Sequence, residues 1–246
     1  MSDIDYSRMR SIADEPHWNA FVQTTGGELI APLIKRQGVR NADYLFRDAK
    51  VIAELKVLET EFAHSKEMLA RVDALFAKHL GADPDDPAAP LRRELIGELK
   101  KPLQRIVNSA NRQIKETKIE LGLPDYRGVL ICVNDNFRGL RPGIVSGLIG
   151  HILAGTSYKS TTAVIYQTNH YVELVELPYA ALLWAPMYSD EAGPDLVDFI
   201  NDLGRKWRAY SEGIEGPYDF SEERPEVRLE AATVVSGIFR NKRFEE

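Results

Sequence analysis

The sequence predicts an α/β domain: a mixed sheet covered by helices on its faces. Three observations predict it. Residues 127–134 read RGVLICVN, a continuous apolar run of the kind that fills a strand buried on both sides. Residues 43–47 and 50–58 form two β-like runs around a short polar turn at Asp48-Ala49. Helical periodicity before, between and after these runs supplies covering layers.

In chain order, a helix is predicted over residues 17–36, loosened by Gly26-Gly27. The two strands 43–47 and 50–58 follow, then a helix over 61–80. The segment 81–90, GADPDDPAAP, has three prolines and three aspartates. It cannot continue a helix and reads as a surface loop rather than a domain boundary. A second helix covers 91–121, with a break expected near Pro102. The strand 127–134 and a helix over 142–153 come next. Residues 161–168 and 171–177, TTAVIYQT and YVELVEL, read as a hairpin turning at Asn169-His170. An amphipathic helix lies at 195–210, and a weaker break at 213–224 precedes a tail without a clear pattern. No internal repeat of 20–50 residues is visible.

The chain has 246 residues, 44% apolar and 28% charged. That length suggests one domain or one and a half, large enough for a core without covalent staples. A single domain over 1–246 is expected, with its core at about 17–177, a helical insertion at about 59–90 and a C-terminal α/β extension at about 178–246. Cys132 is the one cysteine, so no disulfide forms within the chain, which fits a reducing compartment. The polar N-terminus has no apolar signal region, and no apolar stretch approaches a bilayer span. A cytoplasmic protein without a membrane partner is expected.

The net charge of −6 argues against indiscriminate coating of nucleic acid. It leaves room for a local basic face. Residues 92–118 hold eight Lys/Arg against three Glu, a net of about +5. Such runs are usually solvated helix faces with i,i+4 pairs. Here the segment adjoins the candidate site, so Arg105 and Arg112 are candidate phosphate contacts.

That site is residues 41–59, NADYLFRDAKVIAELKVLE. Pairing across the Asp48-Ala49 turn opposes Phe46 with Val51, Leu45 with Ile52, Tyr44 with Ala53, and Asp43 with Glu54. Opposed residues share a sheet face about 4.5–5.5 Å apart, and residues i and i+2 share one as well. Asp43, Glu54 and Lys56 should therefore project from one patch. Two facing carboxylates repel unless a cation sits between them. Two hard oxygen ligands suit Mg²⁺, which keeps its other positions for water and phosphate; Mn²⁺ would also fit. The apolar neighbours Val51, Ile52, Leu55, Val57 and Leu58 imply partial burial, which makes an incidental surface pair a poorer explanation. Glu-x-Lys by itself says little. It occurs three times, and the copies at Glu98/Lys100 and Glu116/Lys118 lie in helical patterns, where i and i+2 do not face each other.

Asp43, ten intervening residues, and then Glu54-Leu55-Lys56 ending an apolar strand resemble the PD-(D/E)xK nuclease superfamily, the restriction-endonuclease-like fold. The resemblance covers about residues 21–134, with Ala42 at the position of the family's proline. It implies a core order α-β-β-β-α-β and a hydrolytic cut leaving a 5′-phosphate. It also implies a metal held by Asp43, Glu54 and the Leu55 carbonyl, with Lys56 orienting or deprotonating the attacking water. An acid from the helix before the sheet is implied, and Glu28 matches in order and spacing. A polar residue from the helix after the motif strand is implied too, and Gln113, with Ser109, falls on the edge of that helix's apolar stripe (Leu103, Ile106, Val107, Ala110, Ile114, Leu121). The family's strand before the aspartate has only residues 37–42 available, and the helix 61–80 would be an insertion.

Other signals are set aside. Gly139, Gly143 and Gly147 lack the Gly-Lys-Ser/Thr of a phosphate loop, and Ser146 is not in a Gly-x-Ser-x-Gly elbow. The five histidines show no metal spacing. The expected function is a Mg²⁺-dependent nuclease acting on nucleic acid, DNA before RNA, with a homo-oligomer left open. The rivals are a non-catalytic nucleic-acid-binding or scaffold module that keeps the fold, and an unrelated α/β interaction protein in which Glu54 and Lys56 form a structural ion pair.

Overall fold

The computed structural model describes residues 15–60, 62–80, 89–135, 137–154, 158–218, 221–224, 229 and 233–234. The described helices are α1 (Glu15–Thr24), α2 (Lys66–Lys78), α3 (Ala89–Glu120), α4 (Pro142–Leu153) and α5 (Pro194–Glu215). The strands are β1 (Glu28–Leu29), β2 (Tyr44–Phe46), β3 (Val51–Leu58), β4 (Arg127–Asn134), β5 (Ala163–Thr168), β6 (Val172–Glu173), β7 (Ala180–Ala181), β8 (Trp184–Tyr188) and β9 (Thr233–Val234). A mixed six-stranded sheet runs β1-β2-β3-β4-β5-β8. Its centre, β3-β4-β5, is parallel, and the remaining neighbours pair antiparallel. A second sheet of order β7-β6-β9 stands beside it.

Strand alternation divides the core into two layers. Val51, Ala53, Leu55, Val129, Ile131, Val133, Ala163 and Ile165 pack with Trp18 and Phe21 of α1 and with Leu196, Ile200, Leu203 and Trp207 of α5. Leu130, Cys132, Val164 and Tyr166 face the other way, onto Leu103, Val107 and Ala110 of α3 and Val145, Leu148 and Ile149 of α4. The predicted bounds of β4 and α4 match the observed ones. Three of the four predicted hairpin pairs form, Tyr44 opposite Ala53, Leu45 opposite Ile52 and Phe46 opposite Val51, across a turn at residues 47–50. The fourth, Asp43 opposite Glu54, does not, because the Asp43 carboxylate takes the Leu55 N–H and the ladder ends at Tyr44.

Several expectations are corrected. The first helix stops at Thr24 rather than 36. The Thr24 and Thr25 hydroxyls donate to Phe21 O and Val22 O at 2.7 and 2.9 Å, and Gly27 N–H donates to Val22 O at 2.9 Å behind Gly26 at φ +80°. A left-handed residue followed by this bond ends a helix, and glycine takes that backbone without strain. The next pairing is the two-residue β1, at 28–29 rather than 37–42. α2 is shorter than expected, opening at Ser65, whose Oγ accepts Met68 N–H at 3.2 Å. α3 runs unbroken through Pro102. A proline inside a helix removes one hydrogen bond, but Leu99, Leu103 and Val107 on either side pack into one cluster and hold the axis.

The predicted hairpin at 161–177 does not form. Asn169 N–H donates to Asn134 O at 2.8 Å, which continues the β4–β5 ladder through the expected turn. β6 pairs with β7 and β9, while β8 becomes the antiparallel partner of β5. α5 extends five residues past the expected end, to Glu215, and closes at Gly216 with φ +86°. The segment expected as an extension thus supplies an edge strand and, with Leu196, Ile200, Leu203 and Trp207 of α5, part of one core layer. The predicted loop lies outside the described residues at 81–88, as do the last twelve residues of the tail. Among the described residues no helix is long and apolar enough to cross a membrane.

Candidate functional site

Asp43 precedes β2 at the point where the β2–β3 ladder stops. Its N–H still donates to Ala53 O at 3.2 Å, and its carbonyl accepts Ile30 N–H at 2.8 Å. Its carboxylate turns into the next position of the ladder, where Oδ2 accepts Leu55 N–H at 2.7 Å. A residue's N–H and C=O point to the same side of a strand, so the Leu55 carbonyl lies on the Asp43 side of β3. Glu54 shares its sheet face with Ile52 and Lys56, under α3, and is 1% exposed. Lys56 Nζ is in ionic contact with Glu54 Oε1, yet neither Glu54 oxygen receives a hydrogen bond of good geometry.

The electrostatics follow from that enclosure. Burial pushes the Glu54 carboxyl up to about 8, helped by the Asp43 charge and opposed by Lys56. Asp43 is raised as well, by burial first and by the Glu15 charge; the Leu55 N–H and Lys56 pull it down. Two carboxylates and one ammonium leave a negative charge to neutralise, by a proton or by a cation. Among the described residues no group of three or more His, Cys, Asp or Glu side chains gathers as a metal cluster. Two carboxylates and a main-chain carbonyl are a smaller set, but all hard oxygens, and Mg²⁺ commonly completes its shell with water and substrate phosphate. The buried Glu54 carboxylate, with Asp43 beside it, fits such an ion.

The structure brings Asp43, Glu54, Leu55 and Lys56 together and separates the other candidates from them. Glu28 lies on β1, not on a helix, and its carboxylate holds the Arg47 guanidinium at 2.5 and 3.3 Å. Glu15, in the first turn of α1, is the acid whose charge reaches Asp43 instead. An acid followed by a proline is a helix-start signal; Glu15-Pro16 carried it, but the helix was expected to begin two residues later.

Gln113 does not reach Lys56. Its Nε2 donates to Asn41 O at 3.0 Å, and its Oε1 accepts the Ser109 hydroxyl at 2.9 Å. Two further α3 side chains hold the same backbone: Thr117 Oγ1 accepts Ala42 N–H at 2.8 Å and Glu116 Oε2 accepts Arg40 N–H at 3.1 Å. Sequence reasoning missed this role; the signal was a threonine on the apolar stripe of a helix. Through these bonds α3 fixes residues 40–42 and so aims Asp43. Thr117→Val keeps the shape but leaves a buried N–H unpaired, which costs about 1–3 kcal/mol. The melting temperature should fall by about 2–10 °C, and a calorimetric scan reads it.

Arg105 and Arg112 are exposed. At 100° per residue they project opposite Leu103, Val107, Ala110 and Ile114, away from the sheet and from the carboxylates. The basic face is real, but it is the outer face of α3. Comparison with protein-family models, with curated proteins and with solved structures finds no match to this chain.

Proposed function

We propose that the protein is a metal-dependent nuclease that hydrolyses phosphodiester bonds of nucleic acid, with DNA the expected substrate. The reading includes a PD-(D/E)xK site on a restriction-endonuclease-like sheet. The observation that carries it is the Glu54 carboxylate, buried beside Asp43 and in ionic contact with Lys56 on the same strand face. An isolated buried carboxylate is costly. One whose neighbours are a second carboxylate and a cation has the composition of a cation-binding and proton-handling site.

Asp43, Glu54 and the Leu55 carbonyl are the groups that would hold Mg²⁺ or Mn²⁺. Such an ion would supply charge neutralisation at the phosphate and acidify a bound water. The chain's own groups do the rest. The Leu55 N–H fixes the rotamer of Asp43 and keeps one of its oxygens accepting a bond. Lys56, partly exposed, is placed to hold a water or a phosphate oxygen at Nζ. Gln113, Glu116 and Thr117 keep the Asp43 backbone in register.

Incubating the protein with linear, circular and branched DNA, with Mg²⁺ or with EDTA, tests the proposal. Fragments bearing 5′-phosphates should appear only with the metal; intact DNA in every tube removes the reading. If the outer face of α3 contacts phosphate, changing Arg105 and Arg112 to Gln should weaken DNA binding and flatten its salt dependence by about two units of slope. Unchanged binding at low salt assigns both arginines to solvation. A second reading has its own support: the direct Lys56–Glu54 contact and the Leu55 N–H on Asp43 also describe an ion pair that only stabilises the hairpin.

A further inference from the structure

The layer under α1 adds to the site a side chain that the nuclease reading does not use. Tyr44 follows Asp43 on β2 and lies opposite Ala53. Its ring takes the sheet face that Ala53 and Leu55 share, and belongs to the same core layer as Trp18 and Phe21 of α1. Tyr44 is 0% exposed, and among the described residues its hydroxyl has no hydrogen-bond partner. A buried hydroxyl without a partner costs free energy. Phenylalanine would fill the same space in this apolar layer without that cost.

The surroundings of the hydroxyl are acidic. Burial first, and then the charges of Asp43, Glu15 and Glu54, push the phenol above its usual range. It is a neutral donor within reach of three carboxylates. Glu15 belongs to the same side of the sheet. It stands three residues before Trp18 and seven before Val22, both fully buried, so it continues the stripe of α1 that faces the sheet. As the first residue of the helix it is exposed, beyond the covered part of that layer. Its charge reaches Asp43 as well as Tyr44. On Asp43, Oδ2 accepts the Leu55 N–H, and Oδ1 is not part of that bond.

One donor and two carboxylate acceptors are the complement of a water molecule. A water accepts the hydroxyl proton in one bond, gives one hydrogen to each carboxylate and keeps a second lone pair. About three polar partners is the usual number for an enclosed water. The remaining lone pair is a hard oxygen donor, of the kind that completes the shell of Mg²⁺ beside carboxylate ligands.

We propose that Tyr44 is a positioning residue of the Asp43–Glu54 site: its hydroxyl and the Glu15 carboxylate hold one water against Asp43, with the free lone pair of that water turned to the cation. The inference rests on the cation part of the nuclease reading. Tyr44 acts through the water and touches no reacting atom. The buried hydroxyl thereby gains the partner that the protein alone does not give it.

The test is Mg²⁺ affinity, read by calorimetric titration of the full chain, for wild type, Tyr44→Phe, Glu15→Gln and the double variant. Each single change should weaken Mg²⁺ about tenfold, the low end for a side chain that supports metal ligands from behind. The double variant should be little weaker than either single one, because both changes disturb the same water. Without metal, Tyr44→Phe should melt no lower than wild type, since it removes an unpaired hydroxyl and keeps the ring. Glu15 is exposed, so Glu15→Gln stays folded and carries the test if Tyr44→Phe does not. Wild-type Mg²⁺ affinity in either folded single variant overturns the inference and leaves the cation site standing. Losses that multiply in the double variant overturn the shared water. A wild type that binds no Mg²⁺ removes the cation site and the inference together. Coupled losses of Mg²⁺ affinity without cleavage of DNA by the wild type keep the inference and remove the nuclease.

Discussion

Mg²⁺ should raise the melting temperature of the wild-type protein and leave that of Glu54→Gln almost unmoved. At ten times its dissociation constant, a ligand that binds only the folded state adds about 1.4 kcal/mol. For a chain of this length that is about 3–6 °C. An amide oxygen at position 54 is a neutral and weaker ligand, so the shift shrinks. The metal-free variant should be no less stable than the wild type, because the substitution removes a buried charge facing Asp43. The pH dependence carries the same signature. The Glu54 carboxyl is raised from 4.5 to about 8, so between those values the folded state binds more protons than the unfolded. Its contribution to stability is full below about 4.5 and is lost as pH rises through about 8. The metal-free wild type should therefore melt progressively lower from pH 5 to pH 8. Glu54→Gln should flatten that slope, and saturating Mg²⁺ should flatten it in the wild type. A wild type that shows neither a metal shift nor a falling profile has no cation site at Glu54.

How much of this was legible in the sequence differs by element, for physical reasons. The β2–β3 register could be read because turn length and alternation are local, and a one-residue slip would turn Tyr44, Phe46, Val51 and Ala53 out of their core. β4 was legible from its unbroken apolar run. The failures are tertiary. β8 reads WAPMY, five residues with a proline, and only an edge position beside β5 makes it a strand. The YVELVEL run has the alternation of a strand, but only Val172 and Glu173 pair, and they pair with β7 and β9 in the small sheet rather than with β5. Within the site, Asp43, Glu54 and Lys56 were legible because they lie on one hairpin. The tether from Gln113, Glu116 and Thr117 was not, because its acceptors and donors are 72 to 76 residues away in sequence. Glu28 was misplaced through the helix end. The Gly26-Gly27 break is the helix end itself, and the two threonine hydroxyls before it complete the stop.

Lys56→Ala should abolish cleavage and keep the Mg²⁺-dependent rise in melting temperature. An ammonium cannot donate electron pairs to a metal, so its loss removes no ligand. On the nuclease reading it removes the group that would hold the attacking water, a role worth about 10²–10⁴ in rate. Lysine also competes for the carboxylate, since Nζ touches Glu54 Oε1. Without it the metal should bind as well or better, provided pH is above the point at which Glu54 takes a proton. Arginine at 56 should not restore activity, because its planar fork is larger and does not yield a proton. The ion-pair reading predicts a different pattern. There, Lys56→Ala strands a buried carboxylate and Glu54→Gln strands a partly exposed ammonium. Breaking a buried pair costs about 3–5 kcal/mol; the first variant should melt early, the second less so, and Mg²⁺ should move neither. Four melting curves, wild type and Lys56→Ala with and without Mg²⁺, separate the two, and a cleavage assay on the same samples fixes the role of Lys56. A retained metal shift with lost turnover makes Lys56 a catalytic residue. An early melt with no metal shift makes it half of a structural pair.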